Sequence, residues 1–241
     1  MDQKKALEIM DEVCDAYAEI LPKPIHDAYL YGDYAEGRYD AESSVNIAIS
    51  VDMSWEELRS YEKKLIHVDS EMDLKYGVFV YVCVTPLSQF RPSGGSFLYG
   101  NLLEDGIRRG ASEEEIAAVL KRAQERKERA LKPETVMEIF KKVYTDCGKI
   151  LPRPIHDAYL YGDYATGRYD DESSVDILIT VDMSWEELRS YSDQLTRVDS
   201  SLSLEYDVMV STYVTPLENF EKGYGYAIYG DVRKEGIRYV A

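Results

Sequence analysis

The sequence has no run of about 18 apolar residues, the least that crosses a bilayer as a helix. No membrane span is expected. Its opening, Met1-Asp2-Gln3-Lys4-Lys5, leads into an amphipathic stretch without the apolar core of a leader, so a cytoplasmic location is the expectation. Cysteine is scarce: Cys14, Cys83 and Cys147 lack metal-ligand spacing, cannot all pair, and read as reduced, mostly buried thiols. The three histidines, His26, His67 and His156, lack ligand spacing too and are expected in structural roles. Positive charge is the largest deficit. The 241 residues hold 28 Lys and Arg against 45 Asp and Glu, a net charge of −17. Nucleic-acid affinity comes largely from Lys and Arg displacing counterions. Direct DNA or RNA binding is therefore not expected, and the expected partner is another protein with a basic or nucleic-acid-binding surface.

What is present is a duplication. The 41 residues from Leu21, LPKPIHDAYLYGDYAEGRYDAESSVNIAISVDMSWEELRSY, return at Leu151 with 35 identities. The offset of 130 runs without a gap to the end, with Thr85-Pro86-Leu87 against Thr215-Pro216-Leu217 and Gly106-Ile107-Arg108 against Gly236-Ile237-Arg238. The expected organisation is one domain at 1–110, a helical linker at 111–131 and a second domain at 132–241, units of ordinary domain size. Acidity belongs to the repeated unit, net −9 over 1–110 and −8 over 132–241, while 111–131 is neutral. Ser112 and Glu115 make a capping box at the start of the linker, which reads as a solvated, semi-rigid spacer helix.

Each copy predicts a helix near 4–20, a strand at His26–Tyr31 and a second strand at Val45–Val51. A helix capped by Ser54 and Glu57 follows, with Leu58, Tyr61, Leu65 and Val68 on one face. A third strand at Val78–Val84 and a last helix near 97–105 ending at Gly106 complete the unit. Gly94-Gly95 and Gly223/Gly225 read as a loop before that helix. Trp55 and Trp185 read as half-buried packing residues. The fold class is α/β: two tandem copies of a small mixed sheet flanked by helices.

Between the first two strands stands Gly32-Asp33-Tyr34-Ala35-Glu36-Gly37, then Ser43-Ser44-Val45-Asn46-Ile47; the second copy has Gly162-Asp163-Tyr164-Ala165-Thr166-Gly167 and Ser173-Ser174-Val175-Asp176-Ile177. This pattern resembles the minimal nucleotidyltransferase family of the DNA polymerase β superfamily, whose motif is G-S-x-A-x-G, a short gap, then S-D-I-D-[LI]. The resemblance covers nearly all of each repeat. It implies a nucleoside triphosphate held at the Gly-Ser turn. It also implies two carboxylates at i and i+2 of one strand, on one face, holding Mg²⁺, with a third carboxylate on a neighbouring strand.

This chain departs from the motif. The serine after the first glycine is Asp33 and Asp163, and a carboxylate there repels phosphate. The first metal aspartate is Ser44 and Ser174. The second is Asn46 in one copy and Asp176 in the other, and the third is expected at Gly77 and Asp207. The simplest expectation is two degenerate domains without an intact catalytic set and without a cofactor. The rival is a nucleotidyl- or adenylyltransferase acting through Asp176 and Asp207 of the second repeat, with Mg²⁺ and a nucleoside triphosphate.

Acidic residues crowd both motif turns: Asp33, Glu36, Asp40 and Glu42 in the first, Asp163, Asp170, Asp171 and Glu172 in the second. They read either as a rim that binds basic groups or as a solvated loop. Tyr29, Tyr31, Tyr34 and Tyr39 and their counterparts read as interface or as core. The resulting expectation is an acidic, protein-binding inhibitor, antitoxin-like as the resemblance implies or a nucleic-acid mimic as the charge implies.

Overall fold

In a computed structural model that describes residues 1–90, 102–223 and 227–240, helix α1 (Gln3–Ile20) begins where Asp2 accepts the Lys5 N–H. Ala6, Ile9, Met10, Val13, Cys14 and Tyr17 recur at helical spacing and are buried as one stripe. The helix ends at Leu21, where the following Pro22 disfavours further α conformation. Strand β1 (Ile25–Tyr31), the four-residue helix α2 (Asp33–Glu36) and strand β2 (Val45–Val51) follow.

The expected capping box forms at Ser54 and Glu57, but the helix it starts is short. Ser60 N–H bonds Glu57 O and Tyr61 N–H bonds Leu58 O, tight i→i−3 bonds that close α3 (Trp55–Arg59) before α4 (Glu62–Tyr76) begins. Gly77 ends α4 at φ 65°. Strand β3 (Val80–Pro86) therefore starts two residues later than expected. Residues 102–105 are helical and Gly106 N–H closes on Leu102 O. Gly94, Gly95, Gly225 and residues 97–101 of the expected last helix lie outside the described residues. A two-residue strand β4 (Ile107–Arg108) follows.

Helices α5 (Glu113–Arg129) and α6 (Pro133–Ile150) lead into the second copy: β5 (Ile155–Tyr161), α7 (Asp163–Thr166), β6 (Val175–Val181), α8 (Trp185–Arg189), α9 (Ser192–Tyr206), β7 (Val210–Pro216), α10 (Leu217–Lys222), α11 (Ala227–Glu235) and β8 (Ile237–Arg238). The sheets have the orders β3-β2-β1-β4 and β7-β6-β5-β8. The central pairs β1–β2 and β5–β6 are antiparallel, and β2–β3 and β6–β7 are parallel. This is the expected α/β architecture of two mixed sheets with flanking helices.

Val45, Ile47, Ile49 and Val51 of β2 pack with Ile9 and Val13 of α1 and Leu65 and Val68 of α4. Ala48 and Ser50, on the opposite face of β2, are buried too, so the strand is covered on both sides at these positions. Asn46 is left half-buried on that second face.

The chain divides into two compact units, Met1–Glu125 and Arg126–Ala241. The helix expected as a solvated spacer is packed on one face, with Val119 and Ala123 buried. Val119 and Ile116 join the first core. The reason is local: Gly37 has no side chain, and a Cβ there would meet Leu120 Cδ2 at 2.9 Å. No helix among the described residues is long and apolar enough to cross a membrane. Cys14, Cys83 and Cys147 are free thiols, two of them buried. Burial pushes the Cys147 thiol up to about 12 and that of Cys14 to about 11.

Candidate functional site

The motif folds the same way in both copies. Gly32 and Gly162 cap α2 and α7 at φ 73° and 75°, a conformation that favours glycine. The turn brings each glycine onto the strand side chain opposite: a Cβ on Gly32 would lie 3.0 Å from Asn46 Nδ2, and one on Gly162 3.0 Å from Asp176 Oδ2. Asn46 and Asp176 face Tyr31 and Tyr161 across the antiparallel pairs.

Asp33 and Asp163, at the position of the expected phosphate-binding serine, are tied down by a residue the motif reading passed over. Ser43 Oγ donates to Asp33 Oδ2 at 2.9 Å and accepts the Asp40 N–H at 3.0 Å. Ser173 repeats both bonds with Asp163 and Asp170, each at 3.0 Å. These buried serines close the loop between α2 and β2, and the only sequence signal for them is the doubled serine of the motif.

The strand positions expected to hold metal are bonded to each other. Ser44 Oγ donates to Asn46 Oδ1 at 3.0 Å, and Ser174 Oγ donates to Asp176 Oδ2 at 2.8 Å. Burial raises the Asp176 carboxyl pKa, the Ser174 hydroxyl opposes the shift, and the Asp163 carboxylate adds to it. The Tyr161 hydroxyl is pushed up to about 12, first by burial and then by Asp176.

Gly77 and Asp207 do not stand where a third carboxylate was expected. Both are left-handed C-caps, of α4 and α9, three residues before β3 and β7. Asp207, at φ 52°, is exposed. The strand residues registered with Asn46 and Asp176 are Tyr81 and Ser211, neither a carboxylate. Among the described residues no group of three or more His, Cys, Asp or Glu could hold a metal ion. A hydroxyl with an amide in the first copy, and a hydroxyl with a single carboxyl in the second, lack the paired anionic oxygens that a Mg²⁺ pair needs.

Arginines at the end of α5 reach the second acidic rim. Arg126, its side chain only 16% exposed, reaches Asp170 at 3.2 Å, Asp171 at 3.3 Å and Glu172 at 3.0 Å. Arg129 adds a 2.6 Å contact to Asp171. Lys127 donates to Gly167 O at 3.1 Å and lies over the Tyr169 ring. The basic end of α5 thus neutralises the second rim. In the first copy Glu36 pairs with Arg38 at 2.6 Å, while Asp40 and Glu42 are exposed at the surface.

The tyrosines nearest the motif are packing residues. Tyr34 stacks on Tyr39 and Tyr164 on Tyr169, both at 4.7 Å, with Tyr34 and Tyr164 buried. Tyr29 stacks on Phe90, and Tyr159 packs against Phe220. His26 and His156 bond Asp27 and Asp157, which also hold Arg108 and Arg238. Trp55 and Trp185 are more open than expected, at 46% and 39% exposure.

No family model matches the chain. Two proteins of Methanocaldococcus jannaschii, each provisionally named a protein adenylyltransferase, are similar to it. One is 33% identical over 81 residues, covering 33% of this chain and 78% of that protein. The other is 32% identical over 77 residues, covering 32% of this chain and 70% of that protein. Among solved structures, a doubly mutated MntA–HpeT toxin–antitoxin aligns with a TM-score of 0.29 and 14% identity, over 52% of this chain and 86% of the other. On the identity and coverage of the two archaeal relatives, and with the motif in place twice, the chain belongs to the minimal nucleotidyltransferase family.

Proposed function

We propose that this chain is a tandem nucleotidyltransferase-like protein that acts by binding another protein, with neither copy transferring a nucleotide. One observation carries the reading. At the strand positions where the family motif places paired carboxylates, the side chains are Ser44 and Asn46, and Ser174 and Asp176, each pair bonded internally. Uncharged oxygens neutralise Mg²⁺ poorly, and Asp33 and Asp163 add negative charge where a triphosphate would enter.

The net charge of −17 supports a partner with a basic surface, such as the groove of a nuclease or another nucleic-acid-handling protein. The contact faces in this reading are the two rims, Asp33, Glu36, Asp40 and Glu42 in the first copy and Asp163, Asp170, Asp171 and Glu172 in the second. The role is that of an inhibitor, either antitoxin-like or mimicking nucleic acid.

A second reading rests on Asp176 and on the relatives' names: adenylyl transfer to a protein by the second copy. The test is incubation with labelled nucleoside triphosphates, Mg²⁺ or Mn²⁺, and candidate acceptor proteins. The expected result is no label above background. Transfer that Asp176→Ala abolishes would establish the second reading instead. For the binding reading, neutralising Asp33, Glu36, Asp40 and Glu42 together should slow association with the captured partner at low salt. An unchanged rate would remove the rim from recognition.

A further inference from the structure

On the α1–α4 face of the first sheet, opposite the motif, lies a cavity of about 290 Å³ whose lining includes Tyr17, Trp55, Leu58, Ile66, Asp69 and Val84. Asp69 is the titratable group within it. Its Oδ1 accepts the Tyr17 hydroxyl at 2.7 Å, and among the described residues no donor meets Oδ2.

The second copy shows what that oxygen does when the protein uses it. Asp199, the counterpart of Asp69, accepts the Thr212 N–H on Oδ2 at 3.1 Å and the Thr212 hydroxyl on Oδ1 at 2.5 Å. Both its oxygens are spent on the edge strand β7. In the first copy Val82 stands where Thr212 does and has no hydroxyl, and Tyr17 stands where Cys147 does. The carboxylate has turned from the strand to Tyr17. The second oxygen is left open to a donor from outside the chain. The Trp55 indole at the rim is held by its N–H bond to Gln89 Oε1 at 3.0 Å. Leu58, Ile66 and Val84 offer aliphatic wall.

We propose that this cavity of the first copy binds an alkylammonium group, with the ammonium on Asp69, the methylenes against Leu58, Ile66 and Val84, and Trp55 supplying a cation–π face. The second copy, its Asp199 already bonded, does not. Arg59 and Glu62 also line the cavity and offset each other. The ammonium comes either from a free alkylamine or from a lysine of a partner segment laid along the open edge of β3. The inference stands apart from the reading of the motif sites.

The charged and titratable groups facing Asp69 are Tyr17 from α1, Arg59 from α3, and Glu62 and Asp73 from α4; the β3 wall is valine. Burial pushes the Asp69 carboxyl up to about 6, opposed by the Tyr17 bond. An ammonium therefore binds the ionised form above that pH.

The test uses the full chain with Trp185→Phe, so that Trp55 is the single indole. Titration with n-butylammonium chloride at pH 7.5 should give a saturable change in indole fluorescence, and n-butanol should give none. At pH 5 the affinity should fall about tenfold, following the ionised fraction of a group with pKa near 6. Asp69→Asn should abolish the change, while Asp199→Asn leaves it intact. Val82→Thr, which recreates the second copy's bonding and keeps the carboxylate, should weaken binding at least about fivefold without loss of fold. A short lysine peptide that binds well above n-butylammonium assigns the source to a partner segment; equal affinity assigns it to a free amine. No saturable change with either probe, or an equal change in Asp69→Asn or Val82→Thr, overturns the proposal.

Discussion

Glu12 of α1 and Lys75 of α4 are joined at 2.7 Å, and at the same place in the second copy Lys142 of α6 meets Glu205 of α9 with the polarity reversed. In both copies the lysine also lies over a tyrosine ring, Tyr76 or Tyr206. The two copies keep the pair and exchange its ends, so opposition of charge is retained while neither sign is. The same face shows a second exchange. Arg109 clamps Asp11 and Asp15 in the first copy. In the second, Tyr239 takes its place and packs on Phe140 and Tyr144, and Lys141 and Thr145 stand at the positions of Asp11 and Asp15.

A single reversal should therefore hurt and a double one should not. Glu12→Lys sets like charges together and should lower Tm slightly, as expected for an exposed pair. Adding Lys75→Glu should restore it. Thermal unfolding of the three proteins at low salt checks this, and 1 M salt should shrink the differences.

Asp69 should leave a pH signature. Its carboxyl lies near 6 in the folded chain against an ordinary 3.8. Between those values the native state holds a proton that the unfolded state has released. Stability is therefore fully present below about pH 4 and falls as pH rises through about 6. Urea midpoints from pH 4 to 7.5 should show this slope, and Asp69→Asn should lack it. Tyr17→Phe removes the bond that opposes the shift, and should cost about 1 kcal/mol and carry the fall to higher pH.

Asp207 should be improved by glycine. It is the one non-glycine residue at positive φ among the described residues, and the first copy has Gly77 there. Asp207→Gly should stabilise by about 1 kcal/mol, the usual cost of an L side chain in that region. If instead the substitution destabilises, Asp207 makes an interaction that its place as a helix cap does not reveal.

Arg126 and Arg129 should matter more than exposed charges do. Replacing both with Ala removes the Arg126 guanidinium from Asp170, which is 7% exposed. The loss should be about 3 kcal/mol in the second unit, because breaking a largely buried ion pair by removing one partner is costly. Urea unfolding of the full chain measures it. A cost of a few tenths of a kcal/mol would return Asp170, Asp171 and Glu172 to the status of a solvated rim.

Much of this protein was legible in order along the chain. The duplication, the capping boxes at Ser54 and Ser112, the stripe on α1 and the limits of β2 depend on residues a few positions apart. Such patterns survive in a linear text because hydrogen-bonded turns and strand alternation have fixed periods. The motif and its missing carboxylates were legible for the same reason: Ser44 and Asn46 are two apart on one strand. The sequence by itself determined two α/β copies and a motif without its metal set.

What the tertiary structure decided were pairings across distance. Ser43 holds Asp33 ten residues away, Tyr17 claims Asp69 from 52 away, and Arg126 covers Asp171 from 45 away. No spacing encodes these contacts, since packing brings the residues together only once α1, α4 and α5 are seated. The third carboxylate failed for a related reason. Gly77 and Asp207 lie near a strand in sequence, but a left-handed cap ends the helix there and turns the chain, so the strand begins three residues later.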